Sequence, residues 1–186
     1  MANFAFVSGA QVLEELNKYA VFMGSVFKEP PWNFNWHLLP PEDPGSGHTF
    51  LQMLIGYGAE FLVCLDDSSE LLGYSMTIEG LSAEALAGGL SDLVKFGDAK
   101  PGDHYFAGTM VATQARKQGI GHHFFQTWVE RGQSQRFLTR TQRAAVGVMR
   151  SGEHLGFRIY REYEFTQAGA SLQRVLLERS PGPLIC

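Results

Sequence analysis

With only two cysteines, Cys64 and Cys186, the 186-residue chain has no disulfide framework and no thiolate set for a structural zinc site. No apolar run approaches the ~20 residues that a membrane-spanning helix needs. The opening Met1-Ala2-Asn3-Phe4-Ala5-Phe6-Val7 lacks the basic stretch and apolar core of a secretory signal, so a cytoplasmic protein is expected. No compact Lys/Arg run occurs, which argues against nucleic acid as a partner. There is no Gly-Lys-Ser/Thr, which excludes a Walker A phosphate loop. His122-His123 is not a metal motif, because adjacent side chains on a helix do not face one ligand and no acid is spaced to join them. No metal is expected.

What is present describes a globular protein: 45% of residues are hydrophobic and 18% charged, at a length that suits one domain, 1–186, with one core. The net charge of −4 is unevenly spread. Residues 1–109 hold four Lys/Arg against 14 Asp/Glu, and residues 110–186 hold 11 against five. A basic C-terminal half suits a polyanionic ligand, and an acidic N-terminal half suits a cationic acceptor.

The patterning alternates between strand and helix. Phe4 to Val7 reads as a short strand. Ser8-Gly9-Ala10-Gln11 reads as a capping box for a helix carrying Val12, Leu13, Leu16, Tyr19, Ala20, Met23 and Phe27 and ending before Pro30-Pro31. Residues 30–47 form a proline-rich loop, and a second helix runs from about Gly47 to Tyr57. Ala59 to Leu65 and Leu71 to Glu79 are apolar runs around a turn signal, Asp66-Asp67-Ser68-Ser69-Glu70. Ser82 to Phe96 reads as an inserted helix, open as a homodimer contact or a pocket lid. Tyr105 to Ala112 is a central strand, Gly119 to Gly132 a helix, Phe137 to Thr141 a strand and Ala144 to His154 a helix. Phe157 to Phe165 and Ala170 to Glu178 are two further strands. An α/β or α+β sheet follows.

The densest signal is Thr109-Met110-Val111-Ala112-Thr113-Gln114-Ala115-Arg116-Lys117-Gln118-Gly119-Ile120-Gly121-His122. A strand ends there, and Arg116-x-x-Gly119-x-Gly121 opens an amphipathic helix. A helix N-terminus offers orphan N–H groups and the positive end of the macrodipole, and glycines let an anion approach, so the turn suits a phosphate or pyrophosphate. A dinucleotide-binding turn fits poorly: the third glycine position is Phe124, and the position ~20 residues on is near Arg140 rather than an acid.

These residues resemble the acyl-CoA signature of the GNAT N-acetyltransferase superfamily. His154-Leu155-Gly156-Phe157, followed by Arg158-Ile159-Tyr160, is similar to the Leu-Gly-Phe before that fold's sixth strand. The resemblance covers roughly Phe61 to Glu178. It implies a mixed, mostly antiparallel sheet, splayed between strands four and five and flanked by helices, and an acetyltransferase that uses acetyl-CoA. Pantetheine would pair with Thr109, Met110 and Val111. The pyrophosphate would sit on Arg116, Lys117, Gln118, Gly119, Ile120, Gly121 and His122. Trp32, Phe34 and Trp36 fall where the acceptor-site lid lies, either walling an acceptor pocket or packing a loop on the core. Arg140 follows as a contact to CoA or to an acidic acceptor group, or as part of a solvated edge.

Acetyl transfer to an amine needs a base, since an alkylammonium with pKa near ~10.4 is protonated at neutral pH. Asp103 and His104, before the central strand, and Glu79, after the third, are the candidates. The resemblance departs at the acid: the tyrosine that many members carry five residues before the Phe is Gly152 here, and an upstream Asn is Ala145. That leaves Tyr160, Tyr163 or His154 as the acid, or an unassisted thiolate, a fair leaving group at a thiol pKa near ~8.5. The acceptor is expected to be a small-molecule or peptide amine, attacking directly in a ternary complex. The alternatives are a non-catalytic acyl-CoA-binding regulatory module, or acylation of a macromolecule such as a protein N-terminus or charged tRNA.

Overall fold

The computed structural model describes residues 2–34, 39–167 and 170–183, with side chains described for all of these except 165–167 and 170–172. The strands are β1 (Asn3–Val7), β2 (Ala59–Leu65), β3 (Leu71–Ile78), β4 (His104–Val111), β5 (Phe137–Gln142), β6 (Arg158–Gln167) and β7 (Ala170–Arg179). The helices are α1 (Gly9–Glu14), α2 (Leu16–Phe27), α3 (Gly47–Gly56), α4 (Ala83–Ala87), α5 (Ser91–Gly97), α6 (Ile120–Arg131) and α7 (Val146–His154). The seven strands are ordered β1-β2-β3-β4-β5-β7-β6. β1 runs antiparallel to β2, β5 and β6 antiparallel to β7, and β4 parallel to β5. By compactness the chain divides into Met1–Met76 with Gly108–Phe124, and Thr77–Ala107 with Phe125–Cys186.

Local chemistry sets the first half. The Ser8 box forms as expected: Gln11 N–H donates to Ser8 Oγ at 3.3 Å, and Ser8 N–H donates to Gln11 Oε1 at 3.0 Å. The expected single helix through Phe27 instead breaks into α1 and α2 at Glu15 (φ −115°, ψ 26°). Ser46 caps α3 by accepting from Thr49 N–H at 3.2 Å. Asp66 Oδ1 closes the β2–β3 turn, accepting from the N–H groups of Ser68 at 2.8 Å and Glu70 at 2.9 Å. The core packs Tyr19, Phe61 and Tyr74, and the buried Tyr74 hydroxyl donates to the Tyr19 carbonyl at 2.9 Å.

In the second half, the expected Ser82–Phe96 helix is two short ones, α4 and α5, interrupted at Gly88-Gly89, where glycine favours leaving a helix. Phe106, Phe125, Phe137 and Phe157 form an aromatic core, with Phe106 and Phe125 centroids 4.0 Å apart. Arg136 ties this half together. Its guanidinium donates to the carbonyls of Asp98 at 3.1 Å and Gly97 at 2.9 Å, and to the carboxylates of Asp103 at 3.1 Å and Glu178 at 2.9 Å.

The β4–β5 register comprises three pairs among the described residues, His104↔Phe137 to Phe106↔Thr139, while β4 continues to Val111 and β5 to Gln142. The strands therefore part after Phe106 and Thr139, the splay expected from the sequence.

Candidate functional site

Beyond β4, Thr113–Ala115 make one 3-10 turn and Arg116 is extended (φ −67°, ψ 159°). Lys117 (φ 63°) and Gly119 (φ 83°) are both left-handed. Two such residues in three turn the chain sharply into α6. His123 N–H donates to the Gly119 carbonyl at 2.9 Å, which makes Gly119 the entry residue. The N–H groups of Ile120, Gly121 and His122 then have no helical carbonyl one turn earlier, and the macrodipole is positive here. A β-carbon on Gly119 would meet no atom within 4 Å, so the space above the turn is open. This fits a diphosphate held by main-chain N–H groups.

The turn is anchored from below. Ile120, Phe124, Phe125, Trp128 and Val129 are buried and fix α6 to the sheet. Gly73 on β3 allows close approach to β4, since a β-carbon there would lie 2.6 Å from the Met110 carbonyl oxygen. Arg116 is exposed but held in place. Its Nε donates to the Val111 carbonyl at 3.2 Å, and its guanidinium pairs with Glu29 at 2.7 Å. Thr113 Oγ1 donates to the same Glu29 carboxylate at 2.7 Å. These hydrogen bonds, with that of Thr113 foremost, hold the Glu29 carboxyl below its ordinary range. Glu29 and Thr113 form a tether that the sequence did not disclose, because their partnership spans 84 residues. Lys117, Gln118 and His122 are exposed on the turn, whereas His123 packs on Phe4 with centroids 4.0 Å apart.

The base candidates cluster at the start of β4. His104 is 9% exposed, and its Nδ1 accepts from Gly80 N–H at 3.2 Å. Burial pushes its imidazole below the usual histidine value, against the pull of Glu79 and Asp103. With Nδ1 occupied as an acceptor, the neutral ring carries its proton on Nε2 and donates there. Asp103 accepts from Lys100 N–H at 2.9 Å while paired with Arg136, so its carboxylate closes a turn. Glu79 lies 2.8 Å from Arg131 Nε with 28% of its side chain exposed.

Other expectations are redistributed. Tyr160 sits on β6, which β7 separates from β5. Its hydroxyl donates to Asp98 at 2.6 Å. Gly152 is buried, and a β-carbon there would already be 3.4 Å from Leu177 Cδ1 and Phe157 Cβ, so the family's tyrosine position is filled by core. Trp32 and Phe34 are half-buried and pack on Phe27, with centroids at 5.1 and 5.9 Å. Trp36 lies outside the described residues. Arg140 is not a solvated edge: its guanidinium is buried in an ion pair with Asp92. Among the described residues, no three His, Cys, Asp or Glu side chains are grouped to hold a metal, and no helix is long and apolar enough to cross a membrane.

A mixed sheet parted between its fourth and fifth strands, with a glycine turn leading into a helix, defines the fold. Three solved structures share it over nearly their whole length. NAA60 from Arabidopsis thaliana, in complex with a bisubstrate analogue, is 15% identical with a TM-score of 0.64, over 96% of this chain and 97% of that one. The histone acetyltransferase HPA2 and related acetyltransferase from Corynebacterium glutamicum is 16% identical with a TM-score of 0.65, over 98% and 97%. A GNAT-superfamily phosphinothricin acetyltransferase from Sinorhizobium meliloti, in complex with AcCoA, is 16% identical with a TM-score of 0.61, over 97% and 89%. By sequence, no family model and no curated protein matches the chain. The chain has the fold of the GNAT-superfamily acetyltransferases.

Proposed function

We propose that this protein is an acyl-CoA-dependent N-acetyltransferase that moves an acetyl group from acetyl-CoA to an amine by direct attack. The observation that carries the reading is the Lys117–Gly121 turn: two left-handed residues, open space above Gly119 and the free first turn of α6. Acetyl-CoA supplies the activated acetyl thioester. The turn's main-chain N–H groups bind the diphosphate, Lys117 adds charge, and the parted edge of β4 at Thr109–Val111 offers backbone groups to the pantetheine. Glu79 is the residue we assign as proton acceptor, directly or through water. Asp103 closes a turn, and His104 uses its acceptor nitrogen on Gly80. Known GNAT structures with acetyl-CoA or a bisubstrate analogue support the donor assignment by likeness of fold.

The filled position at Gly152 favours a second reading, a module that binds acyl-CoA without turnover. Thiol release from acetyl-CoA across a panel of amines separates the two. The transferase reading predicts amine-dependent release, reduced about 100-fold in kcat by Glu79→Gln with acetyl-CoA affinity retained. Tight acetyl-CoA binding with no release on any amine supports the regulatory module instead.

A further inference from the structure

Arg179 ends β7 and is 4% exposed, yet no carboxylate pairs with it among the described residues. Its Nε donates to the Leu155 carbonyl at 3.0 Å, and its terminal nitrogens donate to the carbonyls of Ser180 at 3.3 Å and of Gly182. A guanidinium has five N–H groups, so two are left without an acceptor among the described residues. Arg136 and Arg140 show the ordinary solution, since each is paired with a carboxylate. Burial alone holds Arg179 below the usual arginine value. Leu155 caps the C-terminus of α7, so the negative end of that helix offsets about half of the charge. The remainder is uncompensated, which is costly for a buried cation.

Arg179 and the residues of its three carbonyl partners all line one cavity of about 750 Å³, within the roughly 300–1,000 Å³ of small-molecule sites. The lining comes from the end of α7, the start of β6 and the end of β7 with the segment after it, all within the second compact unit. The charges of the lining do not balance. Glu178 is already paired with Arg136 at 2.9 Å. Arg158 is exposed and makes no ion pair among the described residues. Glu153, exposed on α7, is the one lining carboxylate left without an ion pair among the described residues. Two guanidiniums therefore stand against one free carboxylate, before His154 takes up a proton. The rest of the wall includes Pro181 with Ile159 and Tyr160, which are 44% and 41% exposed. Ile159 pairs with Leu177 and Arg161 with Leu176, so Tyr160 is the extra residue of a bulge. The bulge lets two neighbours, which a regular strand turns to opposite faces, line the same cavity. A buried cation with donors to spare, beside exposed apolar groups, suits an oxyanion on an apolar body.

We propose that this cavity binds a small organic anion, with its carboxylate or phosphate on Arg179 and Arg158 and its apolar body on Ile159, Tyr160 and Pro181. The site shares no residue with the Lys117–Gly121 turn and does not depend on acyl transfer. Thermal melts and calorimetric titrations of the full chain use sodium benzoate and sodium phenyl phosphate, against sodium chloride at matched ionic strength. An oxyanion raises Tm saturably and gives a binding isotherm, and chloride does neither. The two probes share a ring and differ in the oxyanion, so the tighter one names the group that the site takes. Arg158→Gln weakens binding by about threefold or more, and Glu153→Gln tightens it. Ile159→Glu abolishes it by placing a carboxylate on the apolar wall. All three positions are exposed, so the variants keep the fold, which circular dichroism checks, whereas Arg179→Gln would also remove the cap of α7. Neither oxyanion acting beyond chloride, or binding that Arg158→Gln and Ile159→Glu leave unchanged, overturns the proposal.

Discussion

Gly119 and Gly121 are two residues apart in one motif, yet alanine at each should act with opposite sign. At 119 a β-carbon meets no atom within 4 Å, so crowding contributes nothing. The cost is in the backbone: φ of 83° is left-handed, where an L side chain costs about 1–2 kcal/mol. At 121 the residue is helical, and its β-carbon would rest 3.8 Å from Val111 Cγ2 and 3.9 Å from Thr109 Cγ2, ordinary contact distances. Alanine there gains helix propensity, up to about 1 kcal/mol over glycine. The two variants should therefore differ by about 2 kcal/mol, or about 4–8 °C in Tm for a chain of this length. Binding should split as well. A methyl at 119 enters the open space above the turn and weakens acetyl-CoA about tenfold or more. A methyl at 121 points to β4 and changes affinity by less than about threefold. Thermal melts and calorimetry on both variants decide it. Equal destabilisation, or a Gly121→Ala that binds worse than Gly119→Ala, refutes this account of the turn.

Gly73→Ala should lower stability by about 1–3 kcal/mol, measured by urea unfolding, because its β-carbon meets a carbonyl oxygen on β4 at 2.6 Å rather than a yielding side chain. Glu29→Ala should cost no more than about 1 kcal/mol, since the Glu29 and Arg116 side chains are 31% and 37% exposed. It should still weaken acetyl-CoA several-fold in calorimetry by freeing Thr113 and Arg116, with Glu29→Gln intermediate. For His104, burial holds the folded imidazole below its unfolded value near 6.5, so the unfolded chain takes up the proton first. Its contribution is complete above about pH 6.5 and is lost as pH falls through the folded value. Unfolding free energy should drop in that acidic range, and less steeply in His104→Gln.

What the sequence disclosed follows from how locally each feature is encoded. The glycine turn and its helix were legible because a left-handed entry residue and a free helix N-terminus select residue types within a few positions. Lys117 adopts the same left-handed backbone and left no trace, since lysine has no preference for it. The α4–α5 break was marked by Gly88-Gly89, but the helical spacing of Leu86, Leu90 and Leu93 ran across it. Arg140 looked like a solvated edge because its partner, Asp92, lies 48 residues earlier and no spacing rule links them. The two polar residues at alternate positions, Arg140 and Gln142, on a strand of a covered sheet were the available signal. The position of Tyr160 follows from strand order: β7 folds between β5 and β6, a pairing that one sequence does not announce.

The measurement that bears most directly on the central claim is calorimetric titration of acetyl-CoA into wild type and into a Gly119→Trp, Gly121→Trp double variant shown by circular dichroism to be folded. Saturable wild-type binding that the double variant loses is the predicted result. No wild-type binding at millimolar acetyl-CoA, or binding that survives the two tryptophans, contradicts it, and the turn is then a helix entry with no ligand.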